Sequence, residues 1–203
     1  MNFSKQDIKA MDTRYRAHFV NSLSGYKSAN LIGTRSSQGL TNACIVSSVV
    51  HLGADPALVA FVHRPHTVER HTLENILQTK AYTINHVGHH FYEAAHHTSA
   101  RYPRDVSEFE MAQIDIEDTD FPAPYAANSR IRLGMRLVEA LDLSINGTVF
   151  IIGEISELFI DDTISVADDG KIDLISAETV CVSGLDEYHG ATRLARLPYA
   201  KPK

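Results

Sequence analysis

Apolar residues recur along this chain in two different periods. Over Tyr15, Phe19, Val20 and Leu23 they come every three to four residues, as on one face of a helix. Before that segment, Ser4 to Met11 reads as a short helix, with Ser4 as its cap and Asp7 in its first turn. Over Ile131, Leu133, Met135, Leu137 and Leu141 the apolar positions alternate with Arg130, Arg132, Gly134, Arg136 and Val138, the period of a strand with one buried face. Val149 to Phe159 reads as its partner strand, with Asn146-Gly147 between them as a two-residue type I′ hairpin.

Shorter apolar runs precede these. Ala29–Thr34, Asn42–His51, Leu58–His63 and Ala81–Val87 read as strands. Ser36–Gly39 and Leu52–Pro56 read as the turns between the first three. Two helical stretches interrupt the strands. One, within Thr67–Lys80, places Leu73, Ile76 and Leu77 on one face; the other follows Gly88 and runs through His97, with Phe91, Ala94 and Ala95 as its face. Thr98 to Asp120 is polar and mixed. Phe121-Pro122-Ala123-Pro124 is extended, since proline cannot continue a helix. Asp168-Asp169-Gly170 is a turn and Val180–Val182 a short strand. Strands close in sequence and joined by short turns pair antiparallel. The expected fold is therefore mainly β, a β-barrel with peripheral helices. The chain is expected to be a single domain over 1–203, with an N-terminal helical segment at 4–24 and a basic C-terminal tail at 188–203.

Composition narrows the function. A formal charge of −6 gives no general attraction to nucleic acid. No run approaches the ~20 apolar residues of a membrane span. The polar N-terminus carries no secretory pattern, and Cys44 and Cys181 are expected as free thiols, so the expected compartment is cytoplasmic. The chain has no Gly-rich dinucleotide fingerprint, P-loop, CxxC, HExxH or GxSxG motif. Six of the eleven histidines, His71, His86, His89, His90, His96 and His97, fall in or beside one region. They show no ligand spacing with a carboxylate partner, so a histidine metalloprotein is a minor alternative and no metal ligand is assigned.

Polar residues punctuate the apolar runs of 30–75. Ser47 and Ser48, then Arg64, His66, Arg70, His71 and Thr72, could converge on an anion, with Thr72 at the start of a helix; equally, they could be a solvated basic turn with Thr72 as a plain cap. Asn42 offers both donor and acceptor, and Ala43 would let a flat ring come close; equally, the pair could be an ordinary turn-to-strand junction.

Taken in order, Leu31-Ile32-Gly33-Thr34, Gly39-x-Thr41-Asn42-Ala43, Ser47-Ser48, Asp55-Pro56-x-Leu58, Arg64-Pro65, Thr72-x-x-Asn75-Ile76 and Ala81-Tyr82-Thr83-Ile84-Asn85 resemble the flavin reductase-like, FMN-binding split-barrel family. The resemblance covers roughly residues 26 to 90. It implies a six-stranded antiparallel Greek-key split barrel and a homodimer with FMN near the subunit interface. It places Thr34, Asn42 and Ala43 by the isoalloxazine, Ser47 and Ser48 on the flavin, and Arg64, Thr72 and Arg70 at the phosphate. His97, Thr98 and Ser99 are further candidates, on the flavin edge or the substrate side. The implied activity is an FMN-dependent oxidoreductase taking electrons from NADH or NADPH. The alternative is a non-catalytic FMN-binding or electron-transfer protein. No protein nucleophile is required, so no catalytic residue is assigned.

Overall fold

The computed structural model describes residues 1–65 and 68–202. Two short helices open the chain, α1 (Lys5–Ala10) and α2 (Thr13–Ser22). Ser4 and Asp7 form a reciprocal capping box on α1, and the Asp12 carboxylate caps α2. Neither helix contains a buried residue.

The strands follow: β1 (Lys27–Ser28), β2 (Asn30–Arg35), β3 (Thr41–Val46), β4 (Val50–Ala54) and β5 (Ala57–His63). After α3 (His71–Thr79) and β6 (Ala81–His86) come two more short helices, α4 (Tyr92–His97) and α5 (Glu108–Met111). A small ladder pairs β7 (Ile116–Glu117) with β8 (Tyr125–Ala126). Two long strands, β9 (Ile131–Leu143) and β10 (Thr148–Ile160), precede β11 (Val180–Ser183) and β12 (Glu187–Gly190).

Seven strands form the main sheet in the order β3-β2-β6-β9-β10-β5-β4, with every pairing antiparallel. The single strand expected over Asn42–His51 is two strands, β3 and β4, which is why the sheet has seven strands rather than six. They stand at opposite edges of the sheet, yet only Ser47, Ser48 and Val49 lie between them. Four Cα steps span at most ~14 Å. The sheet must therefore roll until its two edges nearly meet, leaving an unpaired gap between them. This is a split barrel.

Burial follows from the roll. Ile32, Phe61, Tyr82, Ile84, Leu133, Met135 and Ile151 pack together with Leu73 and Ile76 of α3. On the other face, Leu31, Ala43 and Val87 pack with Phe91 and Ala95, Phe109, Val180 and Val182. Neighbours Leu31 and Ile32 thus serve different cores. Strand β2 is buried from Asn30 to Thr34 and shows no apolar alternation because both its faces are covered. β11 joins β1 and β12 in a small second sheet, which carries the C-terminal segment back over the barrel.

Some local expectations are corrected. The β9–β10 hairpin pairs Leu143 with Thr148, so four residues turn rather than two. The Asn146 and Gly147 N–H groups both bond the Leu143 carbonyl, and of that dipeptide only Gly147 has positive φ, +73°, whereas a type I′ turn needs it at both central residues. The polar 98–120 stretch contains α5 and β7, both too short to leave a periodic signal. The 187–190 tail segment is a strand because β11 supplies its partner.

Candidate functional site

A cleft of about 820 Å³ opens along the split between the barrel edges. This lies within the ~300–1,000 Å³ of small-molecule sites, near its upper end. Its wall is the edge strand β3 from Asn42 to Val46. Ser47 and Ser48 continue that wall to the opposite edge, where Val62, His63 and Arg64 line it. The start of α3 contributes Arg70, His71 and Thr72. The far side is formed by His96 and the 98–102 loop, together with Leu185, Asp186 and Tyr188.

The edge of β3 does not present a bare row of backbone donors. Ala43 N–H donates to the Glu108 carboxylate at 3.1 Å, and Ile45 N–H donates to the Thr98 hydroxyl at 3.1 Å. The Thr41 and Ser107 hydroxyls are 2.8 Å apart. Side chains from α5 and the end of α4 thus take the place of a neighbouring strand.

Behind this wall lies a buried polar network. Asn42 Nδ2 donates to Glu108 Oε2 at 2.6 Å, while Asn42 Oδ1 accepts from Thr72 Oγ1 at 2.6 Å and from Thr34 Oγ1 at 3.3 Å. Asn75 Nδ2 donates to Thr34 Oγ1 at 3.1 Å. Burial pushes the Glu108 carboxyl above its ordinary range, against the opposing pull of its hydrogen bonds and of His71. Burial also raises the neighbouring Cys44 thiol, and the Glu108 charge adds to that.

Of the residues expected at the site, Asn42, Ala43, Ser47, Ser48, Arg64, Arg70, Thr72, Thr98 and Ser99 line this one cleft. Thr34 and His97 do not. Thr34 is fully buried, one hydrogen bond away through Asn42. His97 is exposed, and its Nδ1 lies 3.0 Å from the Tyr102 hydroxyl. Its neighbour His96 lines the cleft instead, with Nδ1 2.9 Å from the Tyr188 hydroxyl. Burial, with the charge of Asp186, pushes the Tyr188 phenol up to about 12, so it remains a neutral donor at physiological pH. His66, expected at the anion end, lies outside the described residues. Ser48 is already committed: its hydroxyl donates to the Val62 carbonyl at 3.0 Å and accepts the Val62 N–H at 3.1 Å, tying the 47–49 crossover to β5. Arg64 is exposed and makes no ion pair or hydrogen bond with its side chain among the described residues. Glu108, His96 and Tyr188 were not assigned from sequence. Glu108 and Tyr188 are far from the 30–75 segment in the chain, and only packing brings them to it.

The profile of the flavin reductase like domain matches residues 24–172. The chain belongs to this family. A split-barrel protein from Shewanella frigidimarina NCIMB 400, provisionally assigned as a flavin reductase, is 56% identical; the match covers 98% of this chain and 100% of that one, with a TM-score of 0.94. Two more distant solved structures share the fold. Nitrilotriacetate monooxygenase component B from Bacillus cereus is 14% identical, with 97% and 98% of the two chains covered and a TM-score of 0.84. The 2-nitrobenzoate 2-nitroreductase of Pseudomonas fluorescens is 19% identical, with 98% and 96% covered and a TM-score of 0.82. No curated protein matches the chain by sequence. Among the described residues no three His, Cys, Asp or Glu side chains gather as a metal site, and no helix is long and apolar enough to cross a membrane.

The cleft's chemistry fits a flavin mononucleotide. Ala43, Ile45 and Val46 give it an apolar wall, and Arg64, Arg70 and Ser47 give it a cationic, hydroxylated end. A flat ring system bearing a phosphate needs both.

Proposed function

We propose that this flavin reductase-like protein binds FMN in the split-barrel cleft and is an oxidoreductase using NADH or NADPH as electron donor. The observation that carries the proposal is the position of Arg64. A guanidinium with no partner among the described residues stands at one end of an apolar-walled cleft, with Arg70 beside it. Two arginines can hold a phosphate by charge-assisted hydrogen bonds.

When bound, FMN supplies two-electron carriage between the nicotinamide and an acceptor. The chain's residues do the rest. Arg64, Arg70 and Ser47 hold the phosphate end. The small Ala43 side chain lets the ring system lie close to the β3 edge, and Glu108 and Thr98 fix that edge in place. His96 and Tyr188 offer polar atoms on the far side, where a second ligand would enter.

A homodimer in a cytoplasmic setting goes with this reading. The exposed apolar side chains of the N-terminal segment, Tyr15, Val20, Leu23 and Tyr26, suit a subunit contact, and both cysteines are free thiols.

The test is a visible spectrum of the purified protein with added FMN, followed by NADH and NADPH in turn under anaerobic conditions. A perturbed flavin spectrum that bleaches with a nicotinamide supports the proposal. A perturbed spectrum that neither nicotinamide bleaches makes the chain a flavin-binding electron-transfer protein. An unperturbed spectrum overturns FMN binding. Sedimentation gives the subunit number.

A further inference from the structure

The buried network behind the cleft has a consequence for which ligands the anion end accepts. An ionised carboxylate only accepts hydrogen bonds. With Glu108 ionised, Asn42 must turn its Nδ2 toward it, 2.6 Å away. The amide oxygen then faces Thr72 and Thr34, and both hydroxyls donate to it. A threonine has one hydroxyl proton. The proton of Thr72 is spent at 2.6 Å inside the protein, so toward the cleft the hydroxyl can only accept. A phosphate oxygen also only accepts. In this state Thr72, which lines the cleft with Arg70, is a poor neighbour for the ligand that the arginines attract.

A protonated Glu108 reverses the direction of the chain. Its O–H donates to Asn42 Oδ1 once the amide has turned over, and the same oxygen still accepts the Ala43 N–H. Asn42 Nδ2 then faces the two threonines as a donor, and the Thr72 proton, with the weakly accepting Cys44 sulfur beside it, is available to the ligand. The Thr34 hydroxyl, which already receives Asn75 Nδ2, loses its acceptor in this arrangement. The turned state is therefore favoured only when a ligand anion accepts from Thr72.

Resting on the FMN reading, we propose that Glu108 is a positioning residue for the flavin phosphate: it acts through Asn42 to decide whether Thr72 can donate to that phosphate, and phosphate binding draws a proton onto Glu108. The groups around Glu108 are consistent with this coupling. His71 of α3 and the Cys44 thiol of β3 interact with it, and Arg64 and Arg70 act on the same Cys44. His71 favours the carboxylate, and Arg64 and Arg70 add positive charge to the same cleft. A phosphate dianion offsets their charge and favours the neutral acid.

Two measurements on the full chain test the proposal, each with FMN and with riboflavin, which lacks the phosphate. Calorimetric titration in buffers of different ionisation enthalpy counts the protons taken up. Fluorescence titration from pH 6 to pH 8 gives the ratio of the two affinities. Wild type should take up more protons with FMN than Glu108→Gln does, by a difference approaching one. Its FMN-to-riboflavin affinity ratio should rise on acidification by up to about tenfold per pH unit more than that of the variant. The phosphate's own ionisation is common to both proteins and cancels in the difference. Thr72→Val should flatten the ratio in the same way without touching the carboxyl, and it carries the test alone if Glu108→Gln does not fold. Equal proton counts and equal slopes in wild type and the variants overturn the role of Glu108 while leaving FMN binding intact. Failure of wild type to bind either flavin overturns the FMN reading itself, and this proposal with it.

Discussion

The Thr98 hydroxyl accepts the Ile45 N–H at 3.1 Å and donates to the Ala95 carbonyl at 2.7 Å. With its donor and acceptor both engaged, this side chain, 3% exposed, ties the end of α4 to the edge of the barrel. The same strand edge is closed one pair of residues earlier by Glu108. An open edge would otherwise pair with other chains. Here polar side chains cover it while leaving room for a ligand beside it.

Thr98→Val keeps the shape and removes both bonds. The half-buried Ile45 N–H loses its partner, at a cost of about 0.5–1.5 kcal/mol. In urea denaturation the midpoint should fall with the slope unchanged. Thr98→Ser, which keeps the hydroxyl, should lose under half as much. Equal losses for the two variants would assign the effect to the methyl group and its packing.

Arg64 makes no side-chain bond among the described residues, so its replacement should leave the fold alone. Arg64→Ala should weaken FMN binding by about ten- to a hundred-fold, which is ~1.5–3 kcal/mol for a lost charge-assisted contact. Riboflavin should lose less than threefold. Titration of flavin fluorescence with both ligands measures the two losses, and a similar loss for each would take Arg64 off the phosphate.

Much of the barrel was legible because strands buried on one face keep a period of two, as β9 does at Ile131, Leu133 and Met135. The break at Ser47–Val49 was not. Val46, Val49 and Val50 continue the apolar composition across it, and only the sheet's closure sends the chain from one edge to the other. The lining of the candidate cleft was legible where it is local, in the residues of 42–48 and 64–72. Glu108 was not, because a carboxylate in a polar stretch looks solvated until the fold buries it against Asn42. His97 and His96 could not be told apart either. They are adjacent on a single turn of helix, and the position of Tyr188 decides which of them lines the cleft.

His86 ends β6, and burial lowers its imidazole from the ordinary 6.5 to about 4. The folded protein therefore holds His86 neutral between those values while the unfolded chain binds a proton. Where the unfolded state binds more protons, stability rises with pH. This contribution is fully present above pH ~6.5 and is lost as the pH falls toward 4. Its size is at most about 3 kcal/mol. Urea midpoints of wild type and His86→Gln, compared at pH 7 and pH 4.5, should show the variant losing less on acidification. Parallel losses would mean that other groups govern the acid response.

Gly33 sits in β2, paired with Ala43 on one side and Thr83 on the other. A Cβ there would meet the Pro124 carbonyl oxygen and the Thr83 hydroxyl, with the Phe109 ring 3.4 Å away. Neither of the first two can yield cheaply. Pro124 contributes backbone, and Thr83 Oγ1 is fixed by its own 2.7 Å bond to that same carbonyl. Gly33→Ala should therefore cost about 2–3 kcal/mol by overpacking and lower Tm by roughly 5–10 °C in a chain of this length. Gly170 gives the contrast. Its φ is +82°, but nothing lies within 4 Å of an added Cβ. Gly170→Ala should cost only the ~1–2 kcal/mol of a left-handed backbone. Calorimetry of both variants separates the two causes. The contact mechanism requires Gly33→Ala to be the more damaging, although its backbone is the less strained of the two.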